Sequence, residues 1–342
     1  MRILHVVHSD AFSGVERHVA VLAGAQVAAG HDVVVIGGEP SAMTEAAGSP
    51  DVRMAPGGTV TEVGGSLGRY ARGADLVHTH MTVSELAGVL STRRRGPVVS
   101  TRHFADRRGS GRLGVVAPVV RPLLAHGLAA QIAVSQYVAE HIDGPSHVVH
   151  AGVLEQDAPD PGSRDRVVLL AQRLEPEKRG EVAVMAFAAS GLAALGWRLD
   201  IAGSGSQRRD LERLVATLGL TTDQVRFLGQ RSDVPELMAR AGLLIAPRPD
   251  EAYGLSVLEA MASGLPVVAT GAAGHLETLG LLDAPALFPP DDVAVAADLL
   301  RSLAEDPVER KRLADAQRDL QRSRFTIAAQ QRATDDVYRG VL

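Results

Sequence analysis

The chain has 342 residues, of which 46% are hydrophobic, 22% charged and 3% aromatic, with a net charge of -5 and no cysteine. That length suits two domains, and the composition is that of a globular protein. The missing cysteines exclude disulfides, thiolate metal sites and cysteine nucleophiles, and the few aromatics and negative balance argue against a nucleic-acid partner.

The N-terminus, MRILHVVHSD, runs directly into a strand over residues 3–7 and lacks the features of a signal peptide. No apolar run reaches the roughly 18–20 residues of a membrane-spanning helix. A cytoplasmic location is therefore expected, with peripheral contact at the inner membrane face left open. Further strands are read at 32–38, 74–80, 97–103, 131–135 and 147–152, separated by alanine-rich helical stretches such as ERHVAVLAGAQVAA. Near-continuous apolar runs followed by crossover helices mark buried parallel strands. The polar segment LEQDAPDPGSRDR breaks the rhythm and reads as a linker. The pattern then restarts with VVLLAQR, WRLDIAGSG, VRFLG, LLIAPR, PVVAT and ALFPP. Two doubly wound α/β domains facing a cleft follow, with bounds 1–153 and 166–323 and a linker at 154–165. The charge-rich tail reads as two helices with mostly solvated faces, the last of which (324–342) is expected to pack back on the N-terminal domain.

Chemistry concentrates in RPDEAYGLSVLEAMASGLPVV, residues 248–268. Glu251 lies on a loop at the carboxyl end of a strand, where parallel α/β sheets bind ligands. Gly254 opens a helix whose first amides, near Leu255 and Ser256, suit a phosphate. Glu259 lies one turn further in, among Val257, Leu258, Ala260 and Met261, where a carboxylate needs a partner; it can accept two hydroxyl hydrogen bonds, as a ribose would offer. In AQRLEPEKRG, Arg173 closes a strand and Lys178 follows near a helix start, positions from which both cations can meet a diphosphate. AGSGSQ carries Gly203 and Gly205 but not a full dinucleotide fingerprint, because position 208 is arginine, so a tight strand-to-helix turn is the better reading. Gly14 lies between the first strand and helix, and His103 at the carboxyl end of a first-domain strand. His78 and His80 share a strand face, but no third ligand is evident nearby and no metal is expected.

Together these segments resemble the retaining glycosyltransferases of family 4, which have the GT-B fold, over almost the whole chain. The proline, the glycine and the two glutamates with seven residues between them look like that family's signature. QRL…EKRG is similar to its diphosphate clamp. SGVERH resembles its glycine loop, with Ser13 in place of one glycine, and AAGHLE resembles its acidic element, with Glu277 and with Ala273 in place of a frequent glycine. The resemblance implies that Glu251 contacts the donor sugar, Glu259 holds the ribose, and Arg173 and Lys178 neutralise the diphosphate with help from amides near Leu255. It implies that Gly14 lets the backbone approach diphosphate and acceptor, that His103 lies beside the reacting centre, and that Gly229 and Arg231 belong to the nucleobase loop. The substrate implied is a UDP- or GDP-linked sugar, and no cofactor is implied.

A dinucleotide-dependent oxidoreductase would need a complete glycine fingerprint and an acidic residue about 20 positions on, which neither half supplies convincingly. A non-catalytic nucleotide-sugar binder remains the rival on the same fold. The acceptor is unknown. A cationic stretch comprising Arg93 to Arg95, Arg102, Arg107, Arg108 and Arg112, followed by an apolar segment, suggests an anionic or lipid-linked acceptor, against the plainer reading of a solvated loop and a core helix.

Overall fold

The computed structural model describes residues 1–92, 96–108, 117–156 and 164–342. They divide into two units, Met1–Gly152 with Ile327–Leu342, and Val153–Thr326. In the first unit the chain runs β1 (Arg2–Val7), α1 (Gly14–Ala28), β2 (Asp32–Ile36), α2 (Pro40–Ala47), β3 (Arg53–Ala55), α3 (Val60–Tyr70), β4 (Leu76–His80) and α4 (Thr82–Thr92). It continues with β5 (Val98–Arg102), α5 (Ala117–Gly127), β6 (Ala130–Ala133), α6 (Gln136–His141) and β7 (His147–Val148). The second unit contains β8 (Val167–Ala171), α7 (Gly180–Ala189), β9 (Arg198–Ala202), α8 (Arg208–Thr217), β10 (Val225–Gly229), α9 (Val234–Arg240) and β11 (Leu243–Ala246). After these come α10 (Leu255–Ala262), β12 (Val267–Thr270), α11 (Gly274–Thr278), β13 (Leu287–Phe288), α12 (Val293–Glu305) and α13 (Pro307–Arg324). The last helix, α14 (Ile327–Arg339), belongs to the first unit.

Both sheets are parallel, ordered β3-β2-β1-β4-β5-β6-β7 and β10-β9-β8-β11-β12-β13. Each has the doubly wound plan, in which the winding reverses between the first strand and the fourth and leaves a crevice at their carboxyl ends. Those neighbours are β1 and β4, with His5 opposite His78 and Val7 opposite His80, and β8 and β11. The strands are apolar for the reason that parallel sheets require: both faces are covered by helices. In β1 every residue after Arg2 is buried.

Two sequence readings need amendment. The strand at 147–152 is paired only over His147–Val148, and the short edge strand Arg53–Ala55 had no apolar run to announce it. The tail helices are also less solvated than their charge suggests. Gln317 of α13 is buried, with its Oε1 accepting from Val267 N at 2.9 Å and its Nε2 donating to Val267 O at 3.0 Å, which pins the helix to β12. α14 buries Tyr338, Gln330 and Asp335, because histidine and glutamine partners await them inside the first unit, and Thr334, whose hydroxyl donates to the Gln330 carbonyl of the same helix.

Candidate functional site

In the second unit the site grows from the ends of β8 and β11. After β8 the chain makes a single 3-10 turn, Pro176–Lys178, held by Gln172, whose Nε2 donates to the Lys178 carbonyl at 2.8 Å. This turn sends Lys178 toward the loop after β11, where its Nζ donates to Glu251 Oε2 at 2.8 Å. Arg248 Nη1 lies 3.7 Å from the same oxygen, while its Nε donates to Asp250 Oδ1 at 2.8 Å. Burial pushes the Glu251 carboxyl up, but Lys178 and Arg248 outweigh it and hold the group below its usual range. Glu251 is therefore an anion gripped by two cations.

The backbone of this loop is equally fixed. Gly274 N donates to Glu251 O at 2.9 Å. Gly254 has φ of 87°, a left-handed conformation, and a Cβ there would stand 3.2 Å from the His275 ring. His275 is buried and its Nδ1–H donates to Thr270 O at 3.1 Å, so in the neutral ring Nε2 is an acceptor. Burial lowers its pKa despite the nearby Glu251. Ala273, just before it, has φ of 47° and ψ of -132°, a strained pair of angles for a residue with a side chain.

Gln172, Lys178, Arg248, Glu251, Ser256 and His275 thus line one small pocket. Above it, α10 starts after Gly254, and the first amides of any helix lack intrahelical acceptors. Glu259 is half-buried one turn along, amid the buried Val257, Leu258, Ala260 and Met261. Such a pocket joins a fixed carboxylate, two cations and outward-pointing amides, a set able to grip hydroxyls and phosphate oxygens side by side.

The other residues read from the sequence lie around this core or elsewhere. Arg173 does not join the ion cluster; its guanidinium is exposed and meets Glu177 Oε1 at 3.1 Å. Gly203 permits close packing of the β8 and β9 ends, because a Cβ there would fall 1.8 Å from the Gln172 carbonyl oxygen. Gly203 N donates to Gly229 O at 2.8 Å. Arg231 forks onto Asp233 at the surface, Nε donating to Oδ1 at 2.7 Å. The sequence reading missed His275; its one signal was a histidine in the first helical turn after an apolar strand.

In the first unit, Gly14 starts α1, and His103 follows β5, half-buried. His78 and His80 do have a third neighbour, which corrects the sequence reading. His5 comes from β1, and one ring nitrogen of each of the three lies within 4.8 Å of the others. All three are buried, and every ring nitrogen is hydrogen-bonded: His5 to Gln26 (2.7 Å) and His80 (3.1 Å), His78 to Tyr338 (2.6 Å) and Thr101 (2.7 Å), and His80 also to His103 (3.1 Å). A cation here would have to displace a hydrogen bond at each nitrogen it took.

The cationic stretch is likewise revised. Arg108 is 4% exposed and forks onto the buried Glu85, with Nε donating to Oε2 at 2.7 Å and Nη2 to Oε1 at 2.8 Å. Arg102 is buried and donates to the Asp106 carbonyl at 2.6 Å. Both are spent on internal contacts, and Arg107 is exposed. Arg93, Arg94, Arg95 and Arg112 lie outside the described residues. No described helix is long and apolar enough to cross a membrane.

The chain matches the family Glycosyl transferases group 1 over residues 155–320 and Glycosyltransferase Family 4 over residues 12–153. It is 38% identical over 143 residues to exopolysaccharide phosphotransferase SCO2592 of Streptomyces coelicolor, covering 41% of this chain and 15% of that protein. It is 32% identical over 297 residues to D-inositol 3-phosphate glycosyltransferase of Salinispora arenicola, covering 73% of this chain and 65% of that one. The chain thus spans less than two thirds of either relative. The fold is shared with the crystal structure of Anabaena Alr3699/HepE in complex with UDP-glucose, with a TM-score of 0.79, 22% identity, and coverage of 99% of this chain and 100% of that one.

Proposed function

We propose that the chain, whose two halves match glycosyltransferase families, is a GT-B glycosyltransferase that moves a sugar from a nucleotide diphosphate sugar to an acceptor hydroxyl with retention of configuration. The bond from the anomeric carbon to the leaving phosphate oxygen breaks, the acceptor oxygen bonds to that carbon, and the acceptor's proton passes to the leaving phosphate. Negative charge growing on that phosphate is the main electrostatic demand. Lys178 and the amides of Leu255 and Ser256 meet it in this reading, and Arg173 joins by exchanging Glu177 for phosphate. Glu251 takes sugar hydroxyls and Glu259 the ribose. Charge neutralisation is assigned to these groups, so the reaction is read as metal-independent.

The observation that carries the proposal is the Lys178–Glu251 pair, 2.8 Å long, at the crevice between β8 and β11. One side chain of each sign there suits a ligand that is sugar on one side and phosphate on the other. Uridine donors are tried first because a protein of this fold holds UDP-glucose, with guanosine donors as the second arm. The acceptor is a hydroxyl compound of open class, since Arg102 and Arg108 no longer argue for an anionic one.

A thermal-shift panel of UDP, GDP, ADP and their sugars tests the reading, because a ligand bound only by the folded state raises Tm. At least one nucleotide diphosphate is expected to do so, and its sugar to be turned over. A panel without any shift overturns the proposal. Stabilisation without turnover, across a range of acceptors, would make the protein a nucleotide-sugar binder.

A further inference from the structure

We propose that two glutamines of the first unit fix the tautomers of His103 and His18, so that this pair offers one acceptor nitrogen and one N–H donor to a hydroxyl-bearing ligand. The identity of that ligand rests on the function proposed above; the tautomers do not.

The five rings His5, His18, His78, His80 and His103 pack together. His18 meets His103 edge-on, with centroids 4.7 Å apart and planes at 87°. Burial lowers the pKa of His5 and His18 to about 4 and holds those of His78, His80 and His103 well below the ordinary value. Each ring is therefore neutral at pH 7 and has one N–H and one lone pair. In a chain of such rings, fixing one proton fixes all.

The chain begins at Gln26. Its Oε1 can only accept, so His5 Nε2 carries the proton and donates to it at 2.7 Å. His5 Nδ1 is then a lone pair and receives His80 Nε2–H at 3.1 Å. His80 Nδ1 in turn receives His103 Nε2–H at 3.1 Å. His103 is left with Nδ1 as acceptor. The amide end of Gln26 is oriented by Tyr338, whose hydroxyl oxygen accepts from Nε2 at 3.3 Å. Tyr338 then donates to His78 Nδ1 at 2.6 Å, and His78 Nε2–H donates to Thr101 Oγ1 at 2.7 Å.

His18 is set separately and in the opposite sense. The Gly152 backbone N–H donates to Gln330 Oε1 at 2.8 Å, which turns Gln330 Nε2 toward His18 Nε2 at 3.1 Å. His18 Nε2 therefore accepts, and its proton sits on Nδ1. One acceptor and one donor on adjoining rings match two hydroxyls of a sugar, or one hydroxyl that both gives and takes a hydrogen bond. His103 stands at the carboxyl end of β5, the edge where ligands of such sheets bind. Gln26, His5 and His80 act on it as positioning residues.

Two-bond proton–nitrogen correlation spectra of the full chain, labelled with nitrogen-15 histidine, test this directly. His103 is expected protonated on Nε2 and His18 on Nδ1. The reverse at either ring, or a mixture, overturns the proposal. In Gln26→Leu, His103 is expected to lose its single tautomer, and kcat to fall roughly tenfold or more with donor KM nearly unchanged, as for other partners that orient a working histidine. An unchanged tautomer, or unchanged kcat with an altered tautomer, also overturns it. Were the variant to misfold, the wild-type spectrum alone decides. One equivalent of zinc shifting His5, His78 and His80 together would make the cluster a metal site and sink the relay. Failure to find glycosyl transfer leaves the spectral result intact, so the two readings fail separately.

Discussion

The two sheets reverse their winding at equivalent places, yet they fill those places with opposite kinds of polar chemistry. Between β8 and β11 stand full charges: Lys178 and Arg248 around Glu251. Between β1 and β4 stand neutral rings, His5, His78 and His80, linked by hydrogen bonds. Burying polar groups is costly unless they are paired, and the molecule satisfies that demand once by opposite charge and once by neutrality. The charged crevice suits a ligand with its own charges. The neutral one is closed on itself, since every ring nitrogen of His5, His78 and His80 is hydrogen-bonded within the unit.

The first unit also holds an ion pair away from its crevice, and breaking it should have the largest effect. Glu85→Ala takes from the buried Arg108 guanidinium the carboxylate it forks onto, although Gln131 Oε1 and the Asp143 carbonyl still accept from it. A loss of about 3–5 kcal/mol is expected, read from urea unfolding. A loss below about 1 kcal/mol would show that Arg108 finds other partners with ease.

Next comes Lys178→Ala, which removes one of the two cations facing Glu251. Turnover should fall about 10²–10³-fold, the usual cost of deleting one electrostatic stabiliser of a transition state, while Tm moves less than in Glu85→Ala because Arg248 remains beside Glu251. Unchanged turnover would take Lys178 out of the donor site.

Acid should act on the buried histidines before it acts on Glu251. His5 and His18 titrate near 6.5 when unfolded and at about 4 when folded. The unfolded chain therefore binds more protons between those values, and stability falls as pH drops from 6.5 toward 4, by at most about 1.4 kcal/mol per pH unit for each histidine. Glu251, held below its ordinary value of 4.5, loses its contribution only at lower pH. Urea midpoints should hence decline already between pH 6.5 and 5, where Glu251 is still ionised. A flat profile in that window would mean that the histidines are not neutral in the folded state.

The smallest effect concerns the strained Ala273, which precedes His275. Ala273→Gly should raise stability by about 1 kcal/mol, since glycine tolerates the positive φ. A lower Tm would show that the backbone there is not strained.

Much of this could be read along the chain. Continuous β-branched runs announced the buried parallel strands, and their alternation with helices announced two doubly wound sheets. Edge pieces were the hardest to read: Arg53–Ala55 has no apolar run to announce it, and the run at 147–152 pairs only over the exposed His147–Val148. Glu251 and Lys178 were named for their places after strands, but Arg173 was named on the same grounds and lies exposed, on Glu177. Spacing locates a residue at a strand end without telling which way its side chain turns. The arginines 102 and 108 looked like surface charge because Glu85, the partner of Arg108, is 23 residues away in sequence.

What the sequence determined by itself, then, was the kind of sheet, its repetition, and the strand ends that Lys178 and Glu251 follow, since these come from local hydrophobic pattern. Only the tertiary structure decided partnership. Winding outward and back brings the first strand beside the fourth, so His5 meets His78 and His80 across more than seventy residues, and Lys178 meets Glu251 across 73. The last helix then returns to the first unit and adds Tyr338 and Gln330 to the histidines. A hydrogen bond depends on distance and direction in space, and local pattern carries neither.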